Sequence, residues 1–277
     1  MFHVKPIPEK DATGEIQHLY KDILTMLQTS SVPTIFQYLA NYPAYFSYAW
    51  DRIKEVEQTS NFQASTEQVI NLSDAMVSVI YQKSSEMTDF VTKLHRSQKD
   101  DLLSSLHKIH LLNAKLTLIT LGIRESIKGV PVGAKKLTAE GGVGSVNEEV
   151  MQDFVSEIIT QTGTQEMTIA SNLLVPMVGS TLPVLSDYPT FFALSAQDFE
   201  KLMKSEAYLK ARVELEKLGH TLISGFSTSF HFSYVNTEKY LRNQPYLDEL
   251  LFLLKDTFPS QYPRFVMTSS VMQKSLI

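Results

Sequence analysis

The chain has 277 residues, of which 43% are hydrophobic and 20% charged, so it is long enough for two globular units and too apolar for a disordered protein. Its net charge of −5 does not favour nucleic-acid binding, and the absence of cysteine excludes disulfides, thiolate metal sites and cysteine nucleophiles. Residues 1–15 are polar and lack the apolar core of a signal peptide, and proline and glycine interrupt the uncharged segment 167–186. We therefore expect a soluble, cytoplasmic protein with no membrane partner.

The first part of the chain shows helical periodicity. Apolar residues three and four positions apart predict a helix from Ile16 to Leu27. Pro33 and Pro43 predict the starts of two further helices, because proline is tolerated in the first helical turn. Ser65 and Gln68 form a capping-box pattern, which predicts that another helix begins there.

A long apolar stripe from Leu102 to Ile127 predicts one more helix, which Gly129 ends. Residues 129–145 contain five of the eleven glycines, and we interpret them as a linker because no Lys-Ser or Lys-Thr pair completes a phosphate-binding loop. Helical patterns resume after it, and sustained period-two alternation is absent. The sequence therefore predicts an all-α protein with an N-terminal extension (1–13), a first helical repeat (14–128), a Gly-rich linker (129–146) and a second helical repeat (147–277).

A short motif on one side of the predicted linker recurs on the other side. The stretch Leu39 to Pro43, followed by Phe46, is echoed 146 residues later by Leu185 to Pro189, followed by Phe192. Such an echo favours a duplication, and duplicated repeats commonly pack as an intramolecular pseudo-dimer with a ligand cleft between them. In each copy the residue before the Tyr-Pro pair, Asn41 or Asp187, is expected to be the N-cap of the following helix.

Few polar residues in the chain suggest a reactive site. His107 and His110 could share a helix face, but no Asp or Glu within one turn completes a metal-binding set, so we expect no metal there. Asn113 projects from the apolar stripe, so its amide must find a partner in the core or line a pocket. Ser180 and Thr181 lie in the uncharged segment beside Pro183, where they cap a turn or line the same pocket.

Four segments resemble the group I 2-haloacid dehalogenases of the DehI type. Residues 34–50 (TIFQYLANYPAYFSYAW) are similar to the motif of that family's first repeat, and residues 113–126 (NAKLTLITLGIRES) to the end of that repeat. Residues 131–133 (PVG) fall at the inter-repeat linker, and residues 180–189 (STLPVLSDYP) are similar to the second-repeat motif. The order and spacing of the segments carry the resemblance, which runs from about residue 14 to 270.

The resemblance implies an all-helical pseudo-dimer that hydrolyses 2-haloacids by direct attack of water, with no metal and no organic cofactor. In the family an aspartate of the second repeat activates the water and an asparagine of the first repeat helps to hold it. By resemblance, Asn113 falls on that asparagine, Ser180 on a serine that lines the site, and Thr181 on the position of the aspartate. Ser31 and Thr34 fall where the family has bulky aromatic residues, so they are expected to enlarge the substrate pocket.

Three hypotheses follow for the function. In the first, the chain has lost haloacid hydrolysis and either binds a small molecule, such as a small carboxylic acid, or does other chemistry. Its site is the inter-repeat cleft, where Asn113, Ser180 and Thr181 are expected to converge. Alternatively, it is an active dehalogenase with another base, although Asp187 is six residues from Thr181 and so lies on a different helical face. The third hypothesis is a non-catalytic scaffold or interaction protein with a filled cleft. A homo-oligomer is left open.

Overall fold

The computed structural model describes residues 3–133, 187–230, 232 and 234–277. These residues form helices and connecting turns and contain no β-strand, which confirms the all-α prediction. The first half contains helices α1 (Gly14–Leu27), α2 (Thr34–Leu39), α3 (Pro43–Glu57), α4 (Ser60–Ile80), α5 (Ser85–Lys93) and α6 (Arg96–Ile127). The second half contains α7 (Pro189–Met203), α8 (Glu206–Ser224), α9 (Tyr234–Leu241), α10 (Leu247–Phe252), a π-helical turn (Leu253–Thr257) and α11 (Phe258–Leu276).

Helices α3 and α7 begin in the same way, as the recurring Tyr-Pro motif predicts. Each has proline at its start and is 15 residues long. The preceding tyrosines have matching backbone angles, with φ −131° and ψ 71° at Tyr42 and φ −126° and ψ 55° at Tyr188. Proline sets the helical φ of the first turn without losing an N–H that the helix would use.

The match continues into the next helix of each half. The Thr59 hydroxyl accepts from Phe62 N at the start of α4, and the Ser205 hydroxyl accepts from Tyr208 N at the start of α8. Both pairs stand 146 residues apart, the same separation as the Tyr-Pro motifs. A spacing that is kept through two helices and the turn between them supports the predicted duplication.

Three predicted caps are wrong. Helix α4 begins at Ser60 with Thr59 as its cap, so Ser65 lies buried within the helix. Asn41 donates from Nδ2 to the carbonyls of Lys5 (2.8 Å) and Tyr38 (3.0 Å) and does not accept from the first turn of α3. Asp187 is exposed, and the cap position of α7 is occupied by the next residue without a side-chain bond. In both copies the proline after the tyrosine already fixes the helix start.

The long helix α6 is the centre of the fold. From Leu112 to Ile123 it is buried on every side, and it packs against α4, α8 and especially α11. A helix that is buried all round belongs to the core and not to the surface. Two of its threonines, Thr117 and Thr120, satisfy their hydroxyls on carbonyls one turn back.

Helix α11 follows the π-helical turn directly. At the junction Phe258 N–H donates to the carbonyl of Leu253, five residues back, and Pro259 has no N–H to donate. A proline ring also clashes with the carbonyl four residues before it, and the wider π turn provides that space. The π turn therefore accommodates Pro259 at the start of a helix that packs along α6. Pro263 lies inside the same helix.

The beginning of the predicted linker is packed against the second half. Val132 is buried, and its carbonyl accepts from Phe230 N at 3.0 Å. Gly133 has φ +75°, and a Cβ there would lie 2.3 Å from the carbonyl oxygen of Thr228, so only glycine fits. The remaining linker residues, 134–146, lie outside the described ranges. Among the helices that are described, none is long and apolar enough to cross a membrane.

Candidate functional site

Asn113 lies in the middle of α6 and is 4% exposed. Its Nδ2 donates to the carbonyl of Phe265 at 3.2 Å and to the hydroxyl of Ser269 at 3.5 Å, both on α11. The Asn113 amide therefore has the buried partner that the sequence predicts, and this partner belongs to a helix of the other half. Asn113 is therefore placed between the two halves of the chain, where the resemblance puts the family's site.

Ser269 connects Asn113 to a second buried polar residue of α6. The Ser269 hydroxyl lies 2.8 Å from Nδ1 of His110, and Nε2 of His110 lies 3.2 Å from Oδ1 of Asp74 on α4. Ser270 donates its hydroxyl to the same carboxylate oxygen. We call Asn113, Ser269, His110 and Asp74 the amide network, since it ends at the Asn113 side chain.

Asp74 stands at the outer end of the amide network, with its side chain 48% exposed. Burial raises the pKa of this carboxyl, but hydrogen bonds from His110 and Ser270 outweigh burial, so the pKa lies below its ordinary value. The carboxylate is therefore ionised at neutral pH and serves as a hydrogen-bond acceptor.

The sequence does not reveal this network. It suggests only that His110 pairs with His107 on one helix face, with no carboxylate within a turn. The carboxylate comes from α4, so the sequence of α6 alone could not reveal it. The available signal was Ser269 itself, which lies in a run of three small hydroxyl residues (268–270) flanked by the apolar pairs Val266-Met267 and Val271-Met272. Within the described ranges no group of three or more His, Asp or Glu residues is arranged to hold a metal ion.

The predicted pocket residues Ser31 and Thr34 lie just before and at the start of α2, and both are partly buried. The Ser31 hydroxyl is buried and has no hydrogen-bond partner within the described part of the chain. This region approaches α11, because the backbone of Ile35 forms a hydrogen bond with the hydroxyl of Tyr262. Burial of the hydroxyl has the larger effect on the pKa of Tyr262 and raises it, although the hydrogen bond lowers it. Tyr262 is less than one helical turn from Phe265, so α2 and Asn113 contact the same part of α11.

Two of the predicted site residues, Ser180 and Thr181, lie outside the described residues, and their convergence with Asn113 stays a prediction.

The next two carboxylates along the chain, Asp187 and Asp198, lie among the described residues. Asp187 is exposed. Asp198 is buried and accepts from the hydroxyl of Tyr81 (3.0 Å) and from the backbone and hydroxyl of Ser84 (3.2 and 3.0 Å). These bonds hold α7 to the end of α4, and they occupy Asp198 in a structural role.

Comparison with solved structures gives the same architecture. A D-2-haloacid dehalogenase mutant superposes with a TM-score of 0.76 at 15% sequence identity, covering 99% of this chain and 96% of the other. A D-2-haloacid dehalogenase in complex with L-LA gives a TM-score of 0.76 at 14% identity, with the same coverage. At such identities the likeness establishes the fold alone. No curated protein matches the sequence.

The sequence model of one family, described as halocarboxylic acid dehydrogenase DehI, matches residues 30–169. The match covers half of the chain. It includes α2 to α6, and with them Ser31, Thr34 and Asn113. The chain therefore belongs to the DehI family.

Proposed function

We propose that this protein is a dehalogenase-like member of the family that has diverged from haloacid hydrolysis and binds a small carboxylic acid between its two halves. The observation that carries the proposal is the contact of Asn113 with α11, because it joins the residue that resembles the family's asparagine to the opposite half of the chain. The fold of the family thus places the polar Asn113 amide among apolar residues. Small-molecule sites usually have this composition, with a few polar groups in an apolar lining.

The missing base supports the loss of hydrolysis. By resemblance, Thr181 stands where the family has the aspartate that activates water, and a hydroxyl is a poor base at neutral pH. The next two carboxylates in the chain do not replace it, since Asp187 is exposed and Asp198 is held by Tyr81 and Ser84. This argues against the alternative of an active enzyme with a nearby substitute base.

A halide-release assay tests the loss of hydrolysis. We expect no chloride release above background from D- or L-2-chloropropionate, because general-base assistance alone is worth about 10²- to 10⁴-fold in rate. The Thr181→Asp variant restores a carboxylate at that position, and gained chloride release would indicate an otherwise intact site. Robust release by the unmodified protein would contradict the proposal and favour an active dehalogenase with another base.

A thermal-shift screen tests the binding. A ligand that binds only the folded protein stabilises it by about 2.7 kcal/mol at 100 times its Kd. We expect 2-hydroxypropionate, propionate or 2-chloropropionate to raise the melting temperature, and Asn113→Leu to reduce that increase. No shift with any of these acids, at concentrations up to tens of millimolar, would favour the scaffold alternative.

A further inference from the structure

The orientation of the Asn113 amide follows from the chemistry of its partners. The carbonyl of Phe265 can only accept a hydrogen bond, so the amide must turn its NH₂ group toward α11. Turning the amide by 180° would place Oδ1 of Asn113 against that carbonyl oxygen and would lose the bond. The NH₂ group is thus used within the protein. No donor to Oδ1 is found among the described residues, so Oδ1 is the atom that remains for a ligand.

Ser269 can receive the second Nδ2 proton whatever the charge of His110. If His110 carries a proton only on Nε2, facing Asp74, then Ser269 donates its hydroxyl to Nδ1 and keeps both lone pairs. If His110 is doubly protonated, Nδ1 donates to Ser269, which uses one lone pair and donates to the carbonyl of Phe265 or Val266. One lone pair remains for Asn113 in either state.

We propose that His110 and Ser269 are positioning residues that hold the Asn113 amide with Oδ1 presented to the ligand, so that this part of the site selects a ligand bearing an O–H or N–H donor. The proposal rests on the proposed function, because it assumes that the ligand reaches Asn113. The geometry supports it in three ways: all three side chains are at most 4% exposed, the His110–Ser269 contact is short at 2.8 Å, and α6 and α11 come from opposite halves.

Side-chain amide NMR tests the positioning without any ligand. The Asn113 NH₂ signals are identified as the pair that is missing from an Asn113→Leu variant. We expect Ser269→Ala to shift one of the two protons and to speed its exchange with water, because that proton loses its acceptor. Ser270→Ala is the matched control: Ser270 is equally buried and bonds Asp74, but it does not bond Asn113.

His110 is tested with a pair of variants. His110→Leu removes the contact with Ser269, and we expect it to disturb the same Asn113 proton. His110→Asn keeps a hydrogen-bonding atom near the place of Nδ1, and we expect it to restore most of the unmodified signal. If His110→Leu leaves the Asn113 signals unchanged, or if Ser269→Ala and Ser270→Ala shift them equally, His110 and Ser269 have only a structural role and the proposal is wrong.

A pair of ligands tests the selectivity. The acids 2-hydroxypropionate and propionate differ only in the hydroxyl on carbon 2, so the ratio of their affinities measures the value of the donor. We expect the hydroxy acid to bind about 3- to 10-fold more tightly, as one net hydrogen bond provides. Ser269→Ala should remove most of this ratio and Ser270→Ala should keep it.

The amide NMR comparison and the affinity ratio distinguish a failure of the proposed function from a failure of the positioning proposal. If neither acid binds the unmodified protein, the proposed function is wrong in its ligand class, and the NMR comparison still decides whether the amide is positioned by His110 and Ser269. If both acids bind equally well and Ser269→Ala leaves their affinities unchanged, the function stands and the selectivity through Asn113 is refuted.

Discussion

Two buried polar clusters lie two residues apart on α6, and their partners differ in kind. Lys115 forms an ion pair with Glu57 at 2.7 Å, both side chains are 6% exposed, and Gln63 donates to the same carboxylate oxygen at 3.2 Å. All three residues belong to the predicted first repeat. The amide network around Asn113 instead crosses from α4 and α6 to α11 in the second half of the chain.

The two clusters show that a buried polar group can serve either the stability of the fold or the geometry of a site. In the ion pair, opposite charges neutralise each other at short range, which is what burying a charge requires. In the amide network, the bonds fix the orientation of one side chain and leave its Oδ1 as an acceptor. We therefore interpret the ion pair as a structural element of the first half and the amide network as part of a site between the halves.

Removing one partner of the ion pair has the largest expected effect. Lys115→Met leaves the carboxylate of Glu57 buried without its cation, and such a loss costs about 3–5 kcal/mol in free energy of unfolding. Urea denaturation measures it. The double variant Lys115→Met with Glu57→Gln removes both charges and should recover most of the loss. A cost of the single variant below about 1 kcal/mol would show that the pair is not a structural element.

Reversing the hydrogen-bonding character of the amide has an intermediate effect. Asn113→Asp places a carboxylate oxygen against the carbonyl of Phe265, which we expect to cost about 1–3 kcal/mol at pH 7, more than the uncharged Asn113→Leu. The new carboxyl has a raised pKa in the folded state, so the cost grows as the pH rises above about 4 and disappears below it. Denaturation curves at pH 3 and pH 7 measure the difference, and an equal cost at both values would contradict the assigned orientation.

The outer end of the amide network gives the smallest effect. The folded-state pKa of Asp74 is lowered, so its ionised form stabilises the protein above the unfolded value near 3.8, and this contribution is lost as the pH falls through the folded value. Because the side chain is half exposed, we expect Asp74→Asn to cost about 1 kcal/mol or less at pH 7. In urea denaturation series, the gap in free energy of unfolding between the two proteins should narrow as the pH falls below about 3.8. A gap that widens toward acid pH would mean that the sign of the shift is wrong.

The helix starts show which features can be predicted from local sequence. The Tyr-Pro motifs predict the starts of α3 and α7 because proline fixes φ in the first turn, whatever surrounds it. The capping-box pattern of Ser65 and Gln68 predicts that α4 begins there, but the helix begins at Ser60. Thr59 could equally act as a cap, and packing decides between such candidates.

The candidate site also combines features that the local sequence predicts with features that depend on packing. Helical periodicity alone places Asn113 on an apolar face, so the sequence predicts that its amide needs a buried polar partner. The all-α class and the family resemblance are also legible in the sequence. The identity of the partners, Phe265 and Ser269, and the contact of His110 with Asp74 on another helix come from the packing of the helices. The reason is physical: helical periodicity is a local property of a chain, whereas a buried hydrogen bond is made by whichever distant residue the packing of helices brings within about 3 Å.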